Sequence, residues 1–250
     1  MIAGGVGPSL GRYRRGLVPL LWGAGLMGLL AWLPRAEAWF RWLAPEAREV
    51  IYPRDDFTAL LFNHLALVGV ASGLAILLGV GAALVVTRPW GRDFLPLASQ
   101  LAAMGQTFPP VAVLALAVPS LGFGALPTVV ALVLYGLLPI LRNGLAGIEG
   151  IDPAVREAAR GMGMSPGQIL WRLELPLAAP VMLAGIRTSV TVGIATAAIG
   201  STIGAKTLGD PIIAGIVNGN SAYILQGALL IGVLALTLDS LFEALTPRRR

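Results

Sequence analysis

The sequence predicts an all-α, polytopic membrane protein with about six transmembrane helices and one structured cytoplasmic loop. Three observations lead to this prediction: the composition, the length of the apolar segments and the placement of the arginines. Of the 250 residues, 56% are hydrophobic and only 12% are charged, which is about half the charged fraction of an ordinary soluble domain. A chain with so little polar surface needs lipid to cover part of it.

Six apolar segments are long enough, or nearly so, to cross a bilayer as helices of about 20 residues. They are Leu17–Leu33, Phe57–Thr87, Phe94–Val118, Leu126–Leu141, Leu177–Ile203 and Tyr223–Leu245. The longest of them can tilt or extend beyond the hydrocarbon. Pro109 and Pro110 interrupt the third segment, so we expect a kink there.

The arginines set the predicted orientation, because loops rich in Lys and Arg stay in the cytoplasm. With six spans, one side receives Arg12, Arg14, Arg15, Arg88, Arg92, Arg142, Arg156, Arg160, Arg172, Arg248, Arg249 and Arg250. The other side receives Arg35, Arg41, Arg48, Arg54 and Lys206, most of them diluted by acidic neighbours. We therefore predict a multi-pass protein of the cell (inner) membrane with both termini in the cytoplasm. Five spans would scatter the arginines over both sides.

The first apolar segment has two interpretations. Arginines, an apolar run and then Ala36-Glu37-Ala38 resemble a signal peptide with its cleavage site, but the run is longer than usual, which favours an uncleaved anchor. Residues 34–56, which include Trp39, Phe40 and Trp42, then form an amphipathic stretch at the outer interface. The predicted organisation is an anchor and outer segment over residues 1–56, followed by a transmembrane core over residues 57–250.

Several kinds of chemistry are excluded by what the sequence lacks. It has no cysteine, and His64 is its one histidine, so no disulfide framework or multi-histidine metal site is available. No G-x4-G-K-[ST] sequence occurs, so the chain has no P-loop for ATP. The net charge of +5 does not indicate nucleic-acid binding, because the arginines lie in short clusters between apolar runs. We predict a chain that is not an enzyme and has no metal or cofactor of its own.

The loop over residues 142–176 carries the most specific pattern. Asp152-Pro153 predicts an N-cap followed by a first-turn proline, and Gly161 and Gly163 are suited to end the helix. The apolar face of this helix consists of Val155, Ala158, Ala159 and Met162.

A second helix is predicted to begin in the same loop. Ser165-x-x-Gln168 is a capping-box pattern, and the helix is expected to stop at Pro176, where the fifth span begins. Because helices this short are not stable alone, we expect the loop to need a partner surface.

The loop also carries the motif of a known family. Glu157-Ala158-Ala159, three residues, Gly163, nine residues, and Leu173-Glu174-Leu175-Pro176 resemble the EAA motif of binding-protein-dependent ABC importer permeases, with leucine in place of isoleucine at 173. From His64 to Asp239 the chain is similar to the permeases of the glycine betaine, carnitine and choline osmoprotectant group. The similar stretches include 106–110, 137–143, 161–164, 184–188 and 204–210.

The resemblance implies a permease subunit that moves a small osmoprotectant-like solute into the cell. Two permease copies, identical or paired with a relative, would line the path through the bilayer, and an outer solute-binding protein would deliver the solute. Two cytoplasmic ABC ATPase subunits, which hold the ATP and Mg²⁺, would receive the coupling loop. The residues carried over to that coupling role are Glu157, Ala158, Ala159, Gly163, Leu173 and Pro176.

Two further sites are expected outside the loop. Gln106, Phe108 and Pro109 are candidates for the translocation path, because polar groups and irregular backbone at membrane depth tend to face cavities. Lys206 and Asp210 belong to an outer loop or gate, where the osmoprotectant group typically has Gly-Ala-Gly-Gly-Leu-Gly-Asp. Lys206 would repel a quaternary ammonium unless it pairs with Asp210 or reaches solvent, which we favour. We expect His64 to be a packed helix residue bonded to a neighbour.

Two alternative transport functions remain at this stage, besides a membrane scaffold that carries no solute. The chain could be an ABC permease for another small solute, such as an amino acid or a sulfonate. An ion-coupled secondary transporter is the other alternative, but it would need paired carboxylates within the bilayer, and the middle of the predicted spans has none.

Overall fold

The structure, a computed structural model, describes residues 8–246, with side chains from residue 16 onward, and this part of the chain is helical without a strand. Arg248, Arg249 and Arg250 of the predicted cytoplasmic set lie outside the described residues. The α-helices are α1 (Pro8–Trp32), α2 (Glu37–Leu43), α3 (Phe57–Val86), α4 (Leu95–Thr107), α5 (Pro110–Leu121), α6 (Ala125–Glu149), α7 (Pro153–Gly161), α8 (Pro166–Ile169), α9 (Leu175–Ala197), α10 (Asp210–Asn218) and α11 (Ser221–Leu245).

The number of spans agrees with the prediction. Among the described residues, five helices are long and apolar enough to cross a membrane, or six if α4 and α5 are counted as one bent span. The kink predicted in the third segment is confirmed as a bend of 101° between these two helices. Phe108 and Pro109 have ψ of 141°, because a residue that precedes a proline is driven out of the helical region.

The bent pair runs the whole length of α6. The second half of α4 packs antiparallel to α6, with Ala102 in one cluster with Leu138 and Leu141 and Gly105 against the Leu134 carbonyl. Residues 122–124 then lead directly from α5 back to the start of α6. The two ends of the pair therefore lie at opposite ends of α6, a helix of 25 residues and about 37 Å. Since α6 is long enough to cross a bilayer, this arrangement favours one broken span over a re-entrant loop.

The described chain forms two compact units. The first contains the residues up to Leu65 and those from Ala198, and the second contains Ala66–Ala197. In the second unit, α6 packs along α9 at small residues, as expected for membrane helices. A Cβ atom at Gly185 would lie 2.6 Å from the Pro139 carbonyl oxygen, and one at Gly136 would lie 2.5 Å from the Ser189 hydroxyl.

In the first unit, buried polar side chains of the last helix hold the outer segment. Gln226 of α11 is fully buried; its Nε2 donates to the Val50 carbonyl at 2.6 Å and its Oε1 accepts from the Tyr52 N–H at 3.1 Å. Asn220 caps α11 and donates to the Glu49 carbonyl at 2.8 Å. Because buried amide groups are costly to leave unpaired, these bonds fix residues 49–52 against the start of α11.

The short helix α2 lies in the segment predicted to be amphipathic, and its aromatic side chains differ in burial. Phe40 is fully buried, whereas Trp39 and Trp42 are exposed. The rings of Trp32, Trp39 and Phe40 contact one another, with centroids 4.9 to 6.0 Å apart. Exposed tryptophans at this point suit the membrane–water interface.

Candidate functional site

Helix α7 has the ends that its sequence predicts. The Asp152 side chain accepts a hydrogen bond from the Ala154 N–H at 2.8 Å, and Pro153 occupies the first turn. At the other end, the Gly163 N–H donates to the Arg160 carbonyl at 2.9 Å and the Met164 N–H to the Ala159 carbonyl at 3.1 Å. This pair of bonds is a Schellman motif, and it requires the left-handed φ of +80° at Gly163, which glycine adopts without strain.

The second helix of the loop begins as predicted but does not end there. Both capping-box bonds form, at 2.9 Å from the Ser165 N–H to Gln168 Oε1 and at 3.3 Å from the Gln168 N–H to Ser165 Oγ. The predicted stop at Pro176 is wrong, because one helix continues from Pro166 to Ile203. A π-helical turn at Leu170–Glu174 lies directly before the proline, and its wider turn makes room for the ring.

The apolar face of α7 is almost entirely uncovered. Ala159 is buried, while Val155, Ala158 and Met162 are exposed, Met162 at 75%. Glu157 is exposed beside them. We call Val155, Glu157, Ala158 and Met162 the coupling surface. Its small and apolar side chains leave room for a second protein to approach the helix closely.

A buried carboxylate holds α7 in place through Arg156, which is not part of the coupling surface. Glu174 is 4% exposed, and its two oxygens accept hydrogen bonds from Arg88 Nη2 at 2.7 Å and Arg156 Nε at 2.8 Å. Charge-assisted bonds of this length are among the strongest in proteins. We call Arg88, Arg156 and Glu174 the arginine clamp.

The clamp joins four segments of the second unit. Arg88 follows the last turn of α3, Arg156 belongs to α7, and Glu174 lies in the π-helical turn that leads into α9. Arg156 also donates to the carbonyl of Ile148, in the last turn of α6, and to that of Ile151, two residues beyond the helix. Any displacement of α7 is therefore resisted directly by the ends of three membrane helices.

The clamp could not be recognised in the sequence. Glu174 stands out there only as part of the family motif, and Arg88 and Arg156 only as members of the predicted cytoplasmic arginine set. The available signal was one acidic residue inside the apolar stretch Leu173–Leu175, since a buried carboxylate needs basic partners.

The path candidates meet at the bend between α4 and α5. Gln106, Phe108 and Pro109 are all exposed there. Gln106 donates from Nε2 to the Tyr135 carbonyl at 3.1 Å, and the Tyr135 hydroxyl donates to the Phe108 carbonyl. Tyr135 lies near the middle of α6, so the bend exposes polar groups halfway along a membrane helix, where they are expected to face a cavity rather than lipid.

In the outer loop, Lys206 pairs with two carboxylates, as we favoured. Its Nζ lies 2.6 Å from Asp55 Oδ2 and 3.5 Å from Asp210 Oδ2, and the hydrogen bond that the ammonium donates to Asp55 raises the pKa of Lys206. Asp55, in the outer segment, was not among the predicted site residues. Within residues 8–246, only glycines have a positive φ, so the lysine and threonine at 206 and 207 introduce no backbone strain.

Thr207 and His64 stabilise this loop from inside the first unit. Thr207 is fully buried, lies 2.8 Å from the Ser201 hydroxyl and accepts the Gly209 N–H at 2.9 Å. His64 is fully buried as well, and its Nδ1 accepts the Leu208 N–H at 3.4 Å. His64 is therefore a packed residue bonded to a neighbour, as predicted.

The chain is similar to known transport proteins over most of its length. Residues 75–250 match the family described as "Binding-protein-dependent transport system inner membrane component". The osmoprotectant import permease protein OsmY of Salmonella typhimurium is 39% identical over 186 residues, which cover 74% of this chain and 79% of that protein. The choline transport system permease protein OpuBB of Bacillus subtilis is 38% identical over 178 residues, 71% of this chain and 81% of that protein.

Solved structures support the same fold. The MetNI methionine ABC transporter, in an inward-facing conformation, matches with a TM-score of 0.67 at 20% identity, covering 76% of this chain and 94% of that chain. An amino acid ABC transporter matches with a TM-score of 0.64 at 23% identity, covering 76% and 92%. At these identities the comparison concerns the fold alone.

Proposed function

This chain belongs to the family of binding-protein-dependent transport system inner membrane components, and from that premise we propose that it forms the path of an ATP-driven importer for small osmoprotectants. Glycine betaine, choline and carnitine are the solutes in question, because relatives at 35–40% identity carry these names or the name osmoprotectant. The observation that carries the mechanism is the uncovered coupling surface of α7, tied by the arginine clamp to the ends of α3 and α6 and to the start of α9.

The coupling surface is the seat of a cytoplasmic ABC ATPase. A short helix with exposed apolar and small side chains is suited to lie in a groove of a partner, and Glu157 fixes its orientation through charge. The ATPase supplies the ATP and Mg²⁺ chemistry, while this chain contributes no hydrolytic group. When the ATPase subunits move, differential contacts at α7 shift the balance between two arrangements of the helices.

The path lies between two permease subunits, either two copies of this chain or this chain and a relative. The polar bend at Gln106, Phe108 and Pro109 is exposed in the single chain, and a second subunit facing it would enclose a cavity. A solute-binding protein on the outer face delivers the solute to that cavity.

The decisive test of this function is reconstitution. We expect proteoliposomes that contain this chain, its ATPase and its binding protein to accumulate glycine betaine, choline or carnitine only when ATP is supplied to the ATPase side. Uptake of an amino acid or a sulfonate instead would show that the proposed substrate class is wrong. Uptake driven by an ion gradient without the ATPase would overturn the importer mechanism.

The orientation is part of the proposal: α7 and both termini lie in the cytoplasm, and α2 and α10 lie outside. Because the chain has no cysteine, a single introduced cysteine shows on which side of the membrane its position lies, without labelling at any other residue of the chain. We expect Trp42→Cys to react with an impermeant maleimide added to intact cells, and Ser165→Cys to react only in inside-out vesicles. Labelling of Ser165→Cys from outside would reverse the assigned topology.

A further inference from the structure

The outer face of the first unit contains a small cavity that the coupling mechanism does not use. It measures about 280 Å³ and is formed by residues 52–54 of the outer segment, the loop around Lys206 and one side of α10. This volume is just below the usual range of ligand pockets, which begins at roughly 300 Å³. The cavity therefore suits a small solute rather than a peptide or an oligosaccharide.

Charges of both signs line this cavity beside an apolar wall. Arg54, Lys206 and Asp210 provide the charges, and Ile213 and Val217 of α10 provide the wall. The ammonium of Lys206 is held by Asp55 and Asp210. Arg54 is exposed, and the ion pairs found among residues 16–246 do not include its guanidinium.

The third kind of group in the cavity is the Tyr52 side chain. Its hydroxyl lies 3.5 Å from Asp55 Oδ2 and its ring packs on Tyr223 at a centroid distance of 5.6 Å. Burial, and after it the charges of Asp210 and Asp55, raise the pKa of Tyr52, so its hydroxyl stays neutral. The cavity thus places a free cation, a shared carboxylate, a neutral hydroxyl and methyl-sized apolar contacts within one small space.

We propose that this cavity is an outer binding site for a small zwitterion that carries both a carboxylate and a methylated ammonium group. Arg54 binds the solute carboxylate, for which a guanidinium offers paired donors. Asp210 faces the cationic end, and Ile213 and Val217 contact its methyl groups. Glycine betaine and carnitine have both groups, whereas choline has no carboxylate, so the site discriminates between them.

This inference rests on the proposed function and narrows its substrate class. It depends on two residues of this chain: Arg54, which lies before the family match that begins at residue 75, and Lys206, which stands where the resembling group typically has glycine. The lysine neutralises Asp55 and Asp210 in part, which weakens the attraction for a simple cation and leaves Arg54 to select a solute with a negative end.

The site can be tested without the binding protein. Val217 is 77% exposed, so Val217→Cys should react readily with a maleimide in membranes that contain only this chain and its ATPase. We expect millimolar glycine betaine to slow that labelling at least fivefold and choline to have no effect. Trp42→Cys, exposed on the same face but outside the cavity, should be labelled at the same rate with glycine betaine, with choline and without either solute.

A second substitution assigns the protection to the guanidinium. Arg54→Gln in the Val217→Cys background should remove protection by glycine betaine, while the control Arg48→Gln, an outer arginine outside the cavity, should retain it. Equal protection by choline, or protection that survives Arg54→Gln, would overturn the zwitterion site. Uptake of glycine betaine with no protection would also overturn it and leave the proposed function intact, whereas absence of any osmoprotectant uptake would refute the function itself.

Discussion

Reversing the charge of Glu157 should abolish ATP-driven uptake while leaving the fold intact. Glu157 is exposed and lies on the coupling surface, so Glu157→Lys breaks no hydrogen bond or ion pair found among residues 16–246, and its effect on the free energy of unfolding should stay within about 0.5 kcal/mol. If the ATPase groove pairs a positive charge with Glu157, a lysine at this position would place two positive charges in contact. Like-charge contacts at an interface cost several kcal/mol. We expect ATPase binding to weaken roughly 100-fold.

The measurement compares co-purification of the ATPase, solute uptake and the thermal midpoint of the isolated permease. Glu157→Gln removes the charge without reversing it and should give an intermediate loss. Asp93→Lys is the matched control, because Asp93 is an exposed acidic residue predicted to lie on the same side of the membrane. If Glu157→Lys retains normal uptake, α7 is not the seat of the ATPase.

The two short helices show why the local features of this site were predictable. The N-cap at Asp152, the left-handed glycine at 163 and the capping box at Ser165 each depend on residues no more than five positions apart. Their geometry follows from side chains and backbone groups that are neighbours in sequence. For the same reason the kink at Pro109 and Pro110 could be predicted from the two missing N–H groups.

Interactions between distant residues could not be predicted in this way. Arg88 and Glu174 are 86 positions apart, and Gln226 and Val50 are 176 apart. No periodicity or spacing relates such residues, since the first pair depends on how the end of α3 packs beside the start of α9, and the second on how residues 49–52 pack against α11. The two units accordingly depend on buried polar contacts that appear in the sequence only as isolated polar residues within apolar or loop segments.

The wrong stop at Pro176 has a different cause. A proline within a helical pattern usually ends or kinks the helix, because it lacks an N–H and clashes with the preceding turn. Here the π-helical turn over residues 170–174 absorbs both effects, so α8 continues into α9. This continuity has a mechanical consequence: a displacement at α8 passes along an unbroken helix into the membrane instead of being lost in a flexible joint.

Removing the charge at Glu174 should separate ATPase binding from transport. Glu174→Gln leaves Arg88 and Arg156, whose side chains are each 21% exposed, without a counter-charge. Breaking a buried ion pair from one side costs roughly 3 kcal/mol or more, so the thermal midpoint should fall. The coupling surface itself is unchanged, and we expect the ATPase to remain bound while uptake per ATP hydrolysed falls at least tenfold.

Two variants sharpen this prediction. Arg156→Lys keeps a positive charge beside Glu174 but loses the planar donors that also reach Ile148 and Ile151, so it should show the same uncoupling in weaker form. Glu149→Gln removes an exposed carboxylate at the end of α6 and should leave both stability and coupling unchanged. Uptake and ATP hydrolysis that stay in their normal ratio in Glu174→Gln would mean that the clamp only stabilises the fold. A lower ratio, with the ATPase still bound, would identify the clamp as the connection through which movement of α7 reaches the membrane helices.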